Sequence, residues 1–437
     1  MVISFIGHGY VGLVTACIFA DFGNKVWVIG HTPEKIERLK KGDPIIYEPG
    51  LQELLKKNIA AKRLLFTTSY ESAIKESEIV FITVGTPPKE NGEADLSAVL
   101  NVSKLIAKHL KKGFTVVSCK STVPVGTNKK VEKILAEHKA KDAEFAVASC
   151  PEFLREGTAI NDTLYTDRVV IGSESKKASD LLVVLHEPLT GKRVLTDLPS
   201  AELIKYTSNA MLATKISFAN LISFYCEKVG ADVETVLDGV GLDKRIGNVF
   251  IDPGIGYGGS CFPKDVKALI QIGMANGVDT TLLQSVDSIN DETRANFIKK
   301  VKSHFATNKS AGKKVAIWGL SFKPNTDDIR MAPSLSVIEK LLEEDYTINV
   351  YDPVAMDNIK NIFKNKIQFH DNPYDAVKNT SALCILTEWN EFKQADLERV
   401  KSLMKHAVIL DGRNIYDKET LKKIGFTYIS TGRQPVV

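Results

Sequence analysis

The first twelve residues constrain the fold more than any other stretch. Val2-Ile3-Ser4-Phe5-Ile6 is a short apolar run suited to a buried parallel strand, and Gly7-His8-Gly9-Tyr10-Val11-Gly12 follows at once. An apolar helical pattern then covers residues 13–22. Strand, G-x-G-x-x-G and helix in that order form the dinucleotide fingerprint of a doubly wound α/β sheet, a far more specific signal than glycines alone. Gly7 and Gly9 allow a tight turn and the approach of a pyrophosphate, while Gly12 allows helix and strand to pack closely. A glycine turn that binds nothing is the bland alternative.

The second strand, residues 25–29, runs into Gly30-His31-Thr32. NAD enzymes normally place Asp or Glu where Gly30 stands, holding the adenosine ribose hydroxyls. Its absence removes a carboxylate that would repel a 2′-phosphate. His31, Thr32, Lys35 and Arg38 are positioned to contact one, so NADP stays open beside NAD. Further strands are expected near 64–68, 78–84, 114–119, 144–149 and 168–172. Two strand ends carry hydroxyls and prolines, Gly85-Thr86-Pro87 and the run Ser121-Thr122-Val123-Pro124-Val125-Gly126. Ligands of doubly wound sheets bind at such carboxyl ends. Thr86 serves equally well as a cap; Ser121 and Thr122 read better as ligand contacts. Beyond the next strand, Pro151-Glu152-Phe153-Leu154-Arg155-Glu156-Gly157 sets two carboxylates four residues apart, which are otherwise solvated loop acids.

Residues 200–230 read as one long helix, too apolar to stand alone on a surface and suited to a subunit contact. Lys205 and Asn209 share one of its faces, where a lysine and an amide could steady negative charge on a substrate oxygen. Taken alone, such a pair is more often a surface feature. A shorter helix over 232–240 leads through Lys244-Arg245-Ile246-Gly247 to the run Asp252-Pro253-Gly254-Ile255-Gly256-Tyr257-Gly258-Gly259-Ser260-Cys261-Phe262-Pro263-Lys264-Asp265. Four glycines give a backbone able to approach a ligand closely. The proline is placed to open a helix, which sets Cys261 at a helix N-terminus where thiolate is favoured. Asp265 lies one turn further along the same face. Cys261 therefore reads as a nucleophile, against the commoner fate of a lone cysteine buried in a turn.

A linker is expected over 306–312, then a strand over 313–318 and the turn Gly319-Leu320-Ser321-Phe322-Lys323-Pro324. That turn lacks two of the fingerprint glycines, so a different nucleotide or none is expected there. Strands near 347–351, 382–387 and 407–410 complete a second sheet, and Arg330 could meet a phosphate. At 437 residues the chain needs two or three cores. Six scattered cysteines form neither a CxxC nor a metal-ligand cluster, so no metal is expected and reduced thiols in the cytoplasm are. The net charge of +4 comes without a basic stripe, which argues against nucleic acid. No signal-peptide n-region precedes the first strand, and no run approaches 18 apolar residues, which argues against a membrane span.

These pieces together resemble the UDP-glucose 6-dehydrogenase family, within the UDP-sugar and GDP-mannose dehydrogenases, over essentially the whole chain. The resemblance implies an α/β protein with two Rossmann-like doubly wound parallel-sheet domains joined by a central long-helix dimerisation segment. The expected boundaries are 1–197 for the NAD(P)-binding domain, 198–305 for the helical domain with the cysteine loop, and 306–437 for the UDP-sugar-binding domain. It implies twofold oxidation of a sugar C6 alcohol to a carboxylate in a homodimer or larger homo-oligomer, with UDP-glucose or a related nucleotide sugar as substrate. Carried over by position, Cys261 is the nucleophile, Lys205 and Asn209 stabilise oxyanions, and Asp265 with Thr122 orients water or relays protons. Glu152 is the base of thioester hydrolysis. Cofactor contacts fall on Gly7, Gly9, Tyr10, Val11, Gly12, Gly30, Lys35, Gly85, Thr86, Pro87, Ser121, Thr122, Glu156 and Arg330. Substrate contacts fall on Glu152, Phe153, Leu154, Lys205, Asn209, Arg245, Phe250, Tyr257, Gly258, Lys323 and Arg413. The same chemistry on GDP-mannose or a UDP-N-acetylhexosamine is the nearest rival. More distant ones are a two-electron 2-hydroxy-acid or 6-phosphogluconate type of dehydrogenase, which needs no Cys261, and a scaffold that only senses nucleotides.

Overall fold

The structure is a computed structural model that describes residues 1–308 and 312–436. The chain divides into two compact units, Met1–Ser208 with Gln271–Asn276, and Asn209–Ile270 with Gly277–Val437.

The first unit is built on eight strands: β1 (Val2–Ile6), β2 (Lys25–Ile29), β3 (Leu64–Thr67), β4 (Ile79–Ile82), β5 (Gly113–Cys119), β6 (Ala143–Ser149), β7 (Arg168–Gly172) and β8 (Lys192–Thr196). Their order is β3-β2-β1-β4-β5-β6-β7-β8. Apolar cores on both faces explain the unbroken hydrophobic runs. Ile79 and Phe81 of β4 enter one core and Val80 and Ile82 the other. The order reverses where β1 lies between β2 and β4, and this switch point puts the turn after β1 at a ligand-binding edge. The sheet is parallel from β3 to β6, but β6 and β7 meet antiparallel through the single pair Ser149–Gly172. The connection between them, residues 150–167, holds the six-residue helix Ala159–Leu164.

The long helix spans Leu198–Val229 and passes from the first unit into the second. It begins two residues before its expected start, where the Asp197 carboxylate accepts from the Ser200 N–H at 2.7 Å. The helices Val233–Gly241, Phe262–Ala275 and Thr281–Thr307 follow. Residues 306–307 thus close a helix rather than begin a linker, and 309–311 of the expected linker lie outside the described residues.

The second unit carries β9 (Lys314–Trp318), β10 (Thr347–Tyr351), β11 (Gln368–Phe369), β12 (Ala382–Ile385), β13 (Val408–Asp411) and β14 (Thr427–Ser430), all parallel in the order β11-β10-β9-β12-β13-β14. This repeats the 3-2-1-4-5-6 plan of the first sheet. Its turn after β9 is chemically different. One Asp352 oxygen accepts from the N–H groups of Leu320 at 2.7 Å and Ser321 at 3.2 Å and from the Trp389 indole at 3.1 Å. A carboxylate of the protein fills the anion position of that turn, so a pyrophosphate has no donors left there. The loss of the two glycines agrees with this.

Candidate active site

At the first switch point the glycines do what the fingerprint requires. Gly7 holds φ +118, and a Cβ on Gly12 would meet the Gly7 carbonyl oxygen at 2.2 Å. A Cβ on Gly9, by contrast, would face open space. The Tyr10–Asp21 helix starts behind Gly9 with no side-chain cap and no acidic residue in its first turn, which leaves its positive end available to an anion. The Tyr10 hydroxyl donates to the Tyr47 carbonyl at 2.9 Å. Across the edge, the Thr86 hydroxyl donates to the Thr122 carbonyl at 2.9 Å, and the Ser121 hydroxyl to Val84 at 2.6 Å. Both hydroxyls therefore lock the two expected ligand loops to each other. Arg38 does not stand ready for a phosphate, since its guanidinium is paired with Asp43 at 2.7 Å.

A second cluster in the same unit surrounds Glu152. Lys205 and Glu152 are both buried, with Nζ 3.1 Å from Oε1, and Glu152 Oε2 accepts from the Leu154 N–H at 2.7 Å. The Phe153 ring lies under two cations, 3.8 Å from the Arg168 guanidinium and 5.2 Å from Lys205 Nζ. The two acids of this loop part company here: Glu152 is buried while Glu156 is half-buried.

In the second unit Cys261 ends the buried loop 254–259 and is exposed, directly before the Phe262–Ala275 helix. Its carbonyl accepts from the Asp265 N–H at 2.8 Å, the first helical bond, and its sulfur lies 3.6 Å from the Ser260 hydroxyl. Asp265 is fully buried. One oxygen accepts from the Asn209 amide at 2.5 Å and the other pairs with Lys264. The remaining five cysteines are buried, and burial raises each thiol, to about 12 for Cys119 and Cys384. Cys261 alone among the six stands where an electrophile can reach sulfur.

The loop glycines also meet a packing requirement that the sequence did not reveal. A Cβ would meet Asn290 Oδ1 at 2.6 Å from Gly256, the Met331 carbonyl oxygen at 2.3 Å from Gly258, and the Phe322 ring at 2.7 Å from Gly259. Glycine is needed because the protein itself closes around this loop. Phe250, just before it, holds φ +65, a strained setting for a bulky residue. Arg413 ties the loop to the second sheet, donating to the carbonyls of Leu386, Gly256 and Phe322 and pairing with Glu388 at 3.2 Å. Arg330 is bidentate to Asp328, and its carbonyl accepts from the Gly259 N–H at 2.8 Å. Lys323 Nζ lies 5.4 Å from the Phe322 ring centroid. Arg245 is the outlier: it is exposed and paired with Asp243.

Against known proteins, three models of the UDP-glucose/GDP-mannose dehydrogenase family match: the NAD binding domain over residues 1–190, the central domain over 199–292 and the UDP binding domain over 316–418. The chain belongs to that family. The UDP-glucose 6-dehydrogenase YwqF of Bacillus subtilis is 46% identical over 437 residues, spanning all of this chain and 99% of the relative. Among solved structures, a UDP-glucose dehydrogenase from Pyrobaculum islandicum is 34% identical, with a TM-score of 0.91 over 99% of this chain and 98% of its own. A UDP-D-ManNAc dehydrogenase from Pyrococcus horikoshii is 28% identical, with a TM-score of 0.88 over 99% of both chains. The family's NAD suits the first unit: the open side of Gly9 and the uncapped helix start leave room and charge for a pyrophosphate.

The family's motifs rest on residues that the sequence alone did not single out. Glu48 is buried and accepts from the N–H groups of Gly157 at 2.6 Å and Ala159 at 2.7 Å, fixing the Glu152 loop. Glu202, one turn before Lys205, accepts from Gly126 at 2.7 Å and from Asn128 N–H at 2.8 Å, fixing the Ser121–Gly126 loop; burial raises its carboxyl. Asn220 accepts from Gly254 at 2.8 Å, and Asn290 binds both N–H and carbonyl of Tyr257 at 2.8 and 3.1 Å. An acid before Pro-Gly (Glu48) and an amide inside an apolar helix (Asn220) were the available signals.

Proposed function

We propose that the chain is a UDP-glucose 6-dehydrogenase, oxidising the C6 alcohol of UDP-glucose twice to give UDP-glucuronate. The observation that carries this reading is Cys261: an exposed thiol at the mouth of a helix whose next turn buries Asp265 against Asn209, in a chain 46% identical from end to end to a UDP-glucose 6-dehydrogenase. NAD, when bound, supplies the hydride acceptor for each oxidation.

The chain's own groups do the rest. Cys261 sulfur bonds to the C6 aldehyde carbon as the carbonyl π pair moves to oxygen, giving a thiohemiacetal. Oxidation of that adduct leaves a thioester, and water then expels the thiolate to leave the carboxylate. A thiol suits both roles, adding readily and leaving readily. Lys205 and Asn209 stabilise the oxyanions. Asp265 and Thr122 orient water and carry its proton, and Glu152 is the base of hydrolysis as well as the group that holds Lys205 in place. Phe153 and Leu154 meet the sugar, Glu156 the nicotinamide ribose. Arg245, Phe250, Tyr257, Gly258, Lys323 and Arg413 hold the UDP-sugar, and Arg330 contacts the cofactor. The three-part division at 1–197, 198–305 and 306–437 belongs to this reading.

A homodimer completes it. Met211, Phe218, Tyr225 and Val229 are more than half exposed and recur along one side of the long helix, a stripe suited to a second copy. Sedimentation should report twice the chain mass of 48.1 kDa, and a persistent monomer at micromolar concentration would end this part of the reading. Among the described residues no helix is long and apolar enough to cross a membrane, and the six cysteines form no disulfide; both support a cytoplasmic enzyme.

The test is a panel of UDP-glucose, GDP-mannose and UDP-N-acetylhexosamines with NAD. UDP-glucose should give the highest kcat/KM, with about two reduced cofactors per sugar consumed. A preference for an N-acetylated sugar would reassign the substrate, and a single reduced cofactor per sugar would reassign the reaction.

A further inference from the structure

At the end of β2, Gly30 stands where NAD enzymes carry an acidic residue, and His8 of the fingerprint turn packs against it. Gly30 is buried, and a Cβ on it would lie 2.4 Å from Cδ2 and 3.0 Å from Nε2 of His8, and 2.8 Å from Ile36 Cδ1. The His8 imidazole, from inside the fingerprint turn, therefore occupies the place where an acidic side chain on residue 30 would begin. A carboxylate for the ribose hydroxyls is missing, and the His8 ring and the Ile36 tip would have to shift to admit one. Around this point stand His31, Thr32 and Lys35, all exposed. His31 is steadied by the Tyr70 hydroxyl, 2.9 Å from Nε2. Lys35 makes no ion pair among the described residues; burial first, and then the Lys35 charge nearby, lowers the His8 imidazole pKa. Nearby acids are mostly engaged: Asp43 with Arg38 at 2.7 Å and Glu37 with Lys40 at 2.8 Å, leaving Glu34 in the first turn of the Pro33–Lys40 helix.

We propose that this enzyme accepts NADP as well as NAD, with Lys35, His31 and Thr32 receiving the 2′-phosphate and the His8–Gly30 pair determining the loss of discrimination. The inference rests on the dehydrogenase reading of the site. A carboxylate on residue 30 facing a 2′-phosphate would discriminate by about a hundredfold or more, because juxtaposed like charges cost several kcal/mol. Without it only the weaker preferences of an exposed surface remain.

Calorimetric titration of the full-length protein with NAD and with NADP, in the absence of sugar, tests this without relying on turnover. The NADP Kd should fall within about tenfold of the NAD Kd. Lys35→Ala should weaken NADP by about tenfold more than it weakens NAD, the worth of one charge-assisted contact. Gly30→Asp combined with His8→Ala should weaken NADP by about a hundredfold relative to NAD, restoring discrimination. NADP binding more than about a hundredfold weaker than NAD in the unmodified protein would overturn the inference alone. An equal loss of both cofactors in Lys35→Ala would do the same. Failure of both cofactors to bind would overturn the inference together with the dehydrogenase reading.

Discussion

Cys261→Ser is expected to lower formation of the sugar acid by about 10³-fold or more in kcat while leaving NAD binding in place. A serine hydroxyl at the same bend is a far weaker nucleophile, and an ester in place of a thioester surrenders its leaving group less readily. The side chain is exposed, so the substitution should change stability by no more than about 0.5 kcal/mol, and lost activity cannot be attributed to unfolding. Product analysis by ion-exchange chromatography and cofactor titration by fluorescence separate chemistry from binding. Unimpaired acid formation by Cys261→Ser would mean that the acid forms without a covalent adduct on this sulfur.

Lys205→Ala should be costly twice over. Lys205 and Glu152 are a buried pair at 3.1 Å, and removing the ammonium leaves a buried carboxylate without its counterion, a loss of about 3–5 kcal/mol. It also removes the cation proposed to meet the developing oxyanion, a loss of about 10²–10³-fold in kcat/KM. The two effects separate in the double variant Lys205→Ala with Glu152→Ala, which no longer buries a lone charge, when its turnover is compared with that of Glu152→Ala alone, because Glu152 is itself the proposed base. Urea denaturation should show much of the stability recovered, while turnover stays low. Recovery of turnover together with stability would mean that Lys205 acts only as a structural partner for Glu152.

The sequence made the short-range features legible, because their causes are local. Strand, glycine turn and helix at 2–22 follow from apolar runs and backbone freedom, and Cys261 with Asp265 follows from helical spacing after a proline. What it concealed was held by contacts between distant residues. Glu48 acts on Gly157, 109 positions away, and Glu202 on Gly126, 76 positions away. Glu202 has no local pattern that marks it, and Glu48 has only its place before Pro-Gly. The crowding of the loop glycines was hidden for the same reason: Asn290, Met331 and Phe322 press on them, and sequence separation conceals all three. The strands β8, β11 and β14 escaped notice because they are short or partly exposed and carry no clear alternation. Gly30 was visible as a departure, but only the structure places His8 against it.

Capture of the sugar by sulfur can be observed directly. The protein is mixed with UDP-glucose and NAD under conditions that slow hydrolysis, using a Glu152→Gln variant, then quenched in acid, digested and examined by mass spectrometry. The expected result is a covalent nucleotide-sugar adduct confined to the peptide that carries Cys261, abolished by Cys261→Ser. Full conversion to the acid by an enzyme whose Cys261 peptide stays unmodified throughout turnover would contradict it.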